Sequence, residues 1–314
     1  MQTSETAPSA AARITAPADL RGRTVLVTGA SSGIGRETAR ALARAGATVL
    51  TVSRPSGEGE ALAAQLRQTG AEVHFFPADL SSLAEVRRVA RALRARAPRL
   101  DVLVNNAGAF FSERQTTAEG LERTLALNHL SVFLLTHLLL EPLLASPAAR
   151  VVTVSSQAER LGRVHWDDPM LRRGYNGWKA YSQSKLGNLL FSYELARRLA
   201  GTAVSVNALH PGGVATGFGS GNRGVGALLL KLARPLFKSP EEGAKTVIYL
   251  AASPEVAGIS GRYFADCRPA SSSWRSRDPE LQARFWRLSE ALVGLGDEEA
   301  AALRRVSQAA GAAR

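Results

Sequence analysis

The sequence predicts a single-domain α/β protein, a doubly wound parallel sheet of about seven strands with helices on both faces. Three observations carry that expectation. From Thr24 onward, short β-branched apolar runs alternate with stretches of helical period. No linker or shift in composition divides residues 22–265. Strand, helix and strand repeated along one chain fold as right-handed crossovers, which bury a parallel sheet between two helical layers. The 314 residues are 45% hydrophobic and 21% charged, proportions that exclude a wholly disordered or fibrous chain.

Taken in order, TVLVT at 24–28 reads as the first strand, followed by a helix at 34–45 that Gly46 stops. A strand at 47–52 and a helix at 58–69 come next, ended by Gly70; then a strand at 72–76, a helix at 82–96 and a strand at 101–105. A long helical pattern at 117–144 precedes strand 150–155, and a second at 178–200 precedes strand 203–208. Helix 240–252, a last strand near 262–265 and a helical pattern at 279–292 complete the series. The domain is therefore expected over 21–296, with a flexible N-terminal tail at 1–20 and a C-terminal tail at 297–314, helical or frayed. Residues 212–239 stand apart. Glycine-rich GGVATGFGSGNRGVG is followed by apolar ALLLKLARPLFK, a composition suited to a lid over a ligand beyond a strand's carboxyl end.

The chain carries a net charge of +12, and all but five of its 39 basic residues are arginines. These are scattered along helical faces such as Arg87, Arg88, Arg91, Arg94 and Arg96, without the interleaved aromatics of a nucleic-acid stripe. No nucleic-acid partner is expected. The apolar segments near 130–144 and 227–237 are interrupted by charge and proline, so no transmembrane segment is expected. The N-terminus lacks the basic and apolar regions of a secretory signal. A single cysteine, Cys267, excludes an intramolecular disulfide framework and fits a reducing, cytoplasmic setting. His129, His210, Asp167 and Asp168 lack ligand spacing, so no metal is expected.

Chemistry enters directly after the first strand, at Thr28-Gly29-Ala30-Ser31-Ser32-Gly33-Ile34-Gly35. Glycines let a backbone turn tightly and approach a pyrophosphate, whose charge then sits at a helix N-terminus where free N–H groups point outward. A strand before and a helix after make this a Rossmann-type dinucleotide turn. The second strand ends Thr51-Val52-Ser53-Arg54, with no acid to hydrogen-bond a ribose and an arginine suited to a phosphate. That favours NADP(H) over NAD(H), unless Glu58 and Glu60 fold back. Tyr181-Ser182-Gln183-Ser184-Lys185 places a phenol and an ammonium on one helical face, where the cation favours phenolate and suits the pair to acid–base work. The fifth strand ends Thr153-Val154-Ser155-Ser156 at the sheet edge where such folds bind ligands.

With the spacing Gly-x3-Gly-x-Gly and with YxxxK, the sequence resembles the short-chain dehydrogenases/reductases, whose TGxxxGxG motif matches Thr28, Gly29, Gly33 and Gly35. The resemblance implies a catalytic set of Asn128, Ser156, Tyr181 and Lys185, with Ser155 as the register alternative to Ser156. Implied cofactor contacts are Gly29, Ser31, Ser32, Gly33, Ile34 and Gly35 in the turn, and Ser53 and Arg54 after the second strand. Asp79 and Leu80 match an adenine-contacting pair, and Asn105-Asn106-Ala107-Gly108 matches NNAG, with Asn105, Ala107 and Gly108 bordering the cofactor. Tyr181 and Lys185 contact the cofactor too, as do Pro211, Gly212, Val214 and Thr216 in the turn before the lid. Asn105 and Asn106 are expected to buttress turns, and Asn128 to hold a water in a proton relay.

Tyr181 lies 25 positions after Ser156, more than is usual in the family, so an insertion over 157–178 must loop out beside the site. That spacer and the stretch Gly261-Arg262-Tyr263-Phe264-Ala265-Asp266-Cys267, followed by Trp286, resemble the retinol-dehydrogenase-like subgroup. The N-terminal membrane anchor of many animal members is not seen. Trp166 and Trp178 flank the insertion and are expected to pack it, with a stacking platform as the alternative reading. The implied activity is hydride transfer between NADP(H) and a carbonyl or alcohol of a hydrophobic small molecule, with pairing of the helices at 117–144 and 178–200 into a homodimer or homotetramer as a possibility. The rival reading is a non-catalytic NADP-binding regulatory or scaffold protein on the same fold.

Overall fold

A computed structural model describes residues 19–213 and 238–312. Eight strands form one sheet in the order β3-β2-β1-β4-β5-β6-β7-β8. They are β1 (Thr24–Thr28), β2 (Thr48–Ser53), β3 (Val73–Pro77), β4 (Val102–Asn105), β5 (Arg150–Val154), β6 (Ser205–Leu209), β7 (Arg262–Ala265) and β8 (Arg268–Pro269). All neighbours pair in parallel except β7 and β8. The two-residue β8 exceeds the expected count because it is too short to show a period; Asp266 and Cys267 turn the chain back with positive φ angles of 48° and 58°.

Helices α1 (Gly33–Arg44), α2 (Gly57–Arg67) and α8 (Pro240–Ala252) cover one face of the sheet. The opposite face is covered by α3 (Leu83–Arg96), by a broken run of α4 (Arg123–Leu125), a π-helical turn (Ala126–Leu130), α5 (Ser131–Leu138) and α6 (Leu140–Leu144), and by α7 (Gly177–Arg198). Strand valines and leucines are buried on both faces, which is why these strands read as unbroken apolar runs.

The helix expected over 117–144 begins only at Arg123. Gly120 takes a φ of 80°, and the Glu122 carboxylate caps the helix by accepting from the N–H groups of Thr124 and Leu125. Two helices follow near the C-terminus: α9 (Pro279–Val293) and α10 (Asp297–Ala312), the latter in the segment read as a tail. Both pack on the same layer. Trp286 of α9 is buried against Phe133, Phe191 and His137, with ring centroids 4.9, 5.8 and 5.0 Å apart, while α10 buries Ala302 and Leu303 and pairs Glu299 with Arg87 at 2.7 Å. The outer faces of α5 and α7 are thus covered by the chain's own C-terminal helices.

At the amino ends of the two central strands, buried Asp101 ties the start of β4 to that of β1. It accepts from the Thr24 N–H at 2.9 Å, Arg23 at 3.0 Å, Ser146 at 2.8 Å and Arg99 at 3.3 Å. Burial pushes its pKa up, but these hydrogen bonds and the Arg99 charge outweigh burial and hold it below the usual carboxylate range. A depressed folded-state pKa gives stability that is present above the unfolded value and lost as pH falls through the folded one. Asp101→Asn should therefore cost about 2–3 kcal/mol near neutral pH and remove part of the decline below about pH 4. Urea unfolding at the two pH values checks this, and equal midpoints for variant and wild type would refute it.

Candidate active site

The sheet order reverses between β1 and β4, and the residues singled out by the sequence gather at the carboxyl ends of these strands and of β5. Gly29 leaves β1 with a φ of 69°, its N–H donating to the Val52 carbonyl at 2.7 Å. A Cβ on Gly35 would stand 2.3 Å from the Gly29 carbonyl oxygen, so α1 approaches the turn as closely as it does only because residue 35 is glycine. Ser32 is the extended N-cap of α1, its side chain makes no capping bond, and the first turn holds no acid. The positive end of the helix therefore faces outward without a protein anion, which fits a phosphate group. Ser31 spends its carbonyl on Arg36 at 2.9 Å, and Ile34 is buried.

At the end of β2 the Ser53 hydroxyl is buried without a hydrogen-bond partner, and Arg54 beyond it is exposed. Glu58 and Glu60 sit in the first turn of α2, where Glu60 pairs with Arg67 at 2.9 Å. After β3, Asp79 accepts from the Ser81 N–H and hydroxyl at 2.9 and 2.7 Å, and Leu80 is buried. These bonds shape the turn, leaving the other Asp79 oxygen 3.8 Å from Arg123.

Asn105 donates to the Thr136 hydroxyl at 3.1 Å, while its buried Oδ1 has no partner. Asn106 locks β4 to β1: its amide donates to the Thr28 carbonyl at 2.8 Å, and the N–H groups of Asn106 and Ala107 both donate to the Thr28 hydroxyl at 3.0 Å. The backbone then passes over the centre, where a Cβ on Gly108 would lie 3.3 Å from Asn128 Oδ1 and 3.4 Å from Lys185 Nζ. Asn128 lies in the π-helical turn and is buried. Its amide accepts from the Ala109 N–H at 2.8 Å and donates to the Ala109 carbonyl at 2.9 Å and the Ser184 hydroxyl at 3.0 Å.

Helix α7 crosses beside β5. Ser155 donates to the Lys185 carbonyl at 2.8 Å, which commits its side chain to the helix backbone. Ser156 instead caps a short 3₁₀ turn, Gln157–Leu161, and is the hydrogen-bond partner of the Tyr181 phenol. Lys185 donates to the Val154 carbonyl at 3.1 Å, with its ammonium 5.7 Å from the Tyr181 ring centroid. Both side chains are nearly dry, at 7% and 4% exposure. Burial pushes the Tyr181 phenol up to about 12, against the Ser156 hydrogen bond, and pulls the Lys185 ammonium down to about 8. The sequence predicts a phenol lowered by the cation; in this dry site desolvation sets the direction instead.

At the end of β6, His210 accepts from the Gly212 N–H at 3.0 Å, just past Pro211, and Gly212 has a φ of 82°. Val214, Thr216 and positions 214–237 of the expected lid lie outside the described residues. His129 is a core residue, buried between Asn188 at 3.3 Å and Ser289 at 2.8 Å, and burial pulls its pKa down to about 4.

Two features escaped the sequence reading. Trp178 does not pack the insertion: it lies one turn before Tyr181 on α7, 56% exposed, with its ring 5.0 Å from Phe110 and 6.3 Å from Tyr181. The spacing of three residues from Tyr181 was the available signal. Trp166 does pack the insertion, against Phe285 and under Arg284. The second feature is Glu159, fully buried in the 3₁₀ turn behind Ser156, which accepts from the Ser273 N–H at 2.9 Å and hydroxyl at 2.5 Å. Its partner is 114 residues away, and no local pattern announces it.

Residues 23–223 match the family model for short chain dehydrogenases. The chain is 44% identical to mouse (Mus musculus) retinol dehydrogenase 14 over 299 residues, covering 89% of this chain and 88% of that protein. It is 43% identical to mouse polyprenol dehydrogenase, covering 88% and 85%. Among solved structures, an uncharacterized protein from Mycobacterium Paratuberculosis superposes with a TM-score of 0.72 at 36% identity, covering 88% of this chain and 96% of that one. Pseudomonas aeruginosa RhlG, solved as an NADP active-site complex, superposes with a TM-score of 0.63 at 33% identity, covering 78% and 95%. A glycine turn at the sheet's switch point, a Ser-Tyr-Lys cluster on β5 and α7, and these likenesses together place the chain in the short-chain dehydrogenase family, among its retinol-dehydrogenase-like members.

Proposed function

We propose that the protein is an NADP(H)-dependent oxidoreductase that interconverts a carbonyl and an alcohol on a hydrophobic small molecule through Ser156, Tyr181 and Lys185. The observation that carries this is the convergence of a phenol, its serine partner and a buried ammonium at the carboxyl edge of β5, beside a helix N-terminus fitted for phosphate. A bound nicotinamide supplies or accepts the hydride. Tyr181 keeps its proton at neutral pH and donates it to the oxygen that gains charge during reduction. Ser156 donates to the same oxygen, and Lys185 stabilises the resulting phenolate. Asn128 spends its amide on Ala109 and Ser184, so in this mechanism it is a positioning residue that holds the chain over Lys185.

Preference for NADP(H) rests on Arg54, exposed at the end of β2 where an acid would repel a 2′-phosphate, and on Glu60 being engaged by Arg67. Several structural relatives were solved with NADP, among them RhlG and an NAD(P)-dependent gluconate 5-dehydrogenase from Beutenbergia cavernae. A hydrophobic substrate accords with the names of the retinol and polyprenol dehydrogenase relatives.

Tyr181→Phe should lower carbonyl reduction at least 1000-fold, the order expected for loss of a general acid, while NADPH affinity, read by nicotinamide fluorescence, stays within about twofold of wild type. Retained turnover would overturn the assignment. Arg54→Ala should weaken NADPH roughly tenfold or more and leave NADH nearly unchanged; an unaltered NADPH affinity would refute the preference. Because Lys185 titrates near 8, reduction should be level below that pH, where the ammonium is charged, and fall above it as the charge is lost. A rate profile that stays flat to about pH 10 would exclude the lowering of the Lys185 ammonium by burial as the origin of the alkaline limb.

A further inference from the structure

Tyr181 and Lys185 ride on α7, whereas Ser156 lies past the end of β5 as the N-cap of the 3₁₀ turn Gln157–Leu161. A hydroxyl carried by so short a turn is only as well placed as the turn itself. Ser156 accepts from the Ala158 N–H at 3.2 Å through its hydroxyl and from the Glu159 N–H at 3.1 Å through its carbonyl, which couples its position to that of Glu159. Two outside contacts then fix the turn. On the α7 side, a Cβ on Gly162 would stand 2.5 Å from the Ser182 carbonyl oxygen, so the turn seats on the helix only because residue 162 is glycine. On the other side, the fully buried Glu159 carboxylate accepts from the Ser273 N–H and hydroxyl, and Arg160 donates to the Ser271 carbonyl.

The segment that receives Glu159 is itself anchored. The Tyr193 and Ser272 hydroxyls lie 2.8 Å apart, the Ser276 hydroxyl donates to that of Ser272 at 2.7 Å, and Gln282 of α9 donates to the Ser276 carbonyl at 2.9 Å. Among the described residues Glu159 has no ion-pair partner. Hydrogen bonds offset only part of the cost of burying a carboxylate without a cation, so packing stability accounts poorly for its presence. Placement of the turn accounts for it.

We infer that Glu159 is a positioning residue of the proposed reaction: by joining the 3₁₀ turn to residues 271–276 it holds the Ser156 hydroxyl on the Tyr181 phenol. The inference rests on the oxidoreductase reading above and deepens it. Loss of Glu159 lowers turnover through Ser156, not through the cofactor or the fold at large.

The test is a double-mutant cycle with NADPH, read on a panel of decanal, benzaldehyde and 2-decanone. Ser156→Ala should lower kcat about 100-fold, the order expected on losing one donor to a developing oxyanion. Glu159→Ala should lower kcat about tenfold by misplacing that donor, with KM and NADPH affinity within about twofold of wild type. Glu159→Gln, which keeps the reach and one acceptor, should restore most of the rate. In the Ser156→Ala background, Glu159→Ala should cost less than about twofold more, because the hydroxyl it positions is gone. Losses that multiply in the two backgrounds, or a Glu159→Ala kcat equal to wild type, would overturn the inference. Ser273→Ala, which removes one donor and leaves the backbone N–H, runs the same cycle with a milder lesion if Glu159→Ala does not fold. The 13C resonance of the Tyr181 phenol carbon, assigned through Tyr181→Phe, reads the Ser156 hydrogen bond without turnover. Glu159→Ala should move it in the same direction as Ser156→Ala, and an unmoved resonance would overturn the positioning. A resonance that moves in a protein that reduces no member of the panel would sustain the positioning and count against the oxidoreductase reading.

Discussion

The architecture of the site depends on a single interlock between two strands that are remote in sequence. Thr28 ends β1 and Asn106 follows β4, and at the point where the sheet order reverses Asn106 donates to Thr28 twice, from its backbone N–H to the hydroxyl and from its side-chain amide to the carbonyl. Thr28 also donates to the Val104 carbonyl at 3.2 Å, which fixes its rotamer. The turn that begins at Gly29 must bend away from the strand with little freedom of its own, because α1 presses on it through Gly35. Asn106 holds the turn from the other side. A half-buried amide that donates to the Thr28 and Gly29 carbonyls is costly to replace, because its loss leaves both without that donor.

Most of this was legible in the sequence. The glycine spacing, the alternation of apolar runs and the order of motifs along the chain are local signals, and the fold sets them side by side by a fixed rule of crossover handedness. Harder to read were features decided by partners far away. Glu122 was hidden inside an apparently continuous helical pattern, and only its capping bonds reveal that the helix starts there. Glu159 reads as one more surface acid, yet it is fully buried because Ser273 meets it with two donors. Trp178 carried a usable signal in its spacing from Tyr181, but a tryptophan next to an insertion is ordinarily packing, and tertiary context decides between the two.

Burial, rather than proximity of charge, governs the electrostatics of the Tyr181 and Lys185 pair. In water a nearby ammonium draws a phenol downward, whereas in this site both groups lose hydration and each is pushed toward its neutral form. The pair is therefore a protonated phenol beside an ammonium that is itself easier to discharge. In the proposed reaction such a site favours proton donation at neutral pH, and the reverse direction would need the phenolate stabilised by Ser156 and Lys185.

The C-terminal helices belong to the same design. Trp286 and Phe285 cover the outer faces of α5 and α7 with rings that would otherwise face water, and Phe285 also packs within 4.8 Å of the His129 ring. The same C-terminal region reaches the site: Ser273 anchors Glu159, and Arg160 donates to the Ser271 carbonyl at 2.5 Å. The 3₁₀ turn between those contacts and β5 carries Ser156 as its N-cap. The position of the serine beside Tyr181 is thus set by β5 on one side and by a segment more than a hundred residues downstream on the other. An insertion long enough to wander is held by this buried carboxylate, and the C-terminal extension that supplies its partner acts as a structural wall of the site.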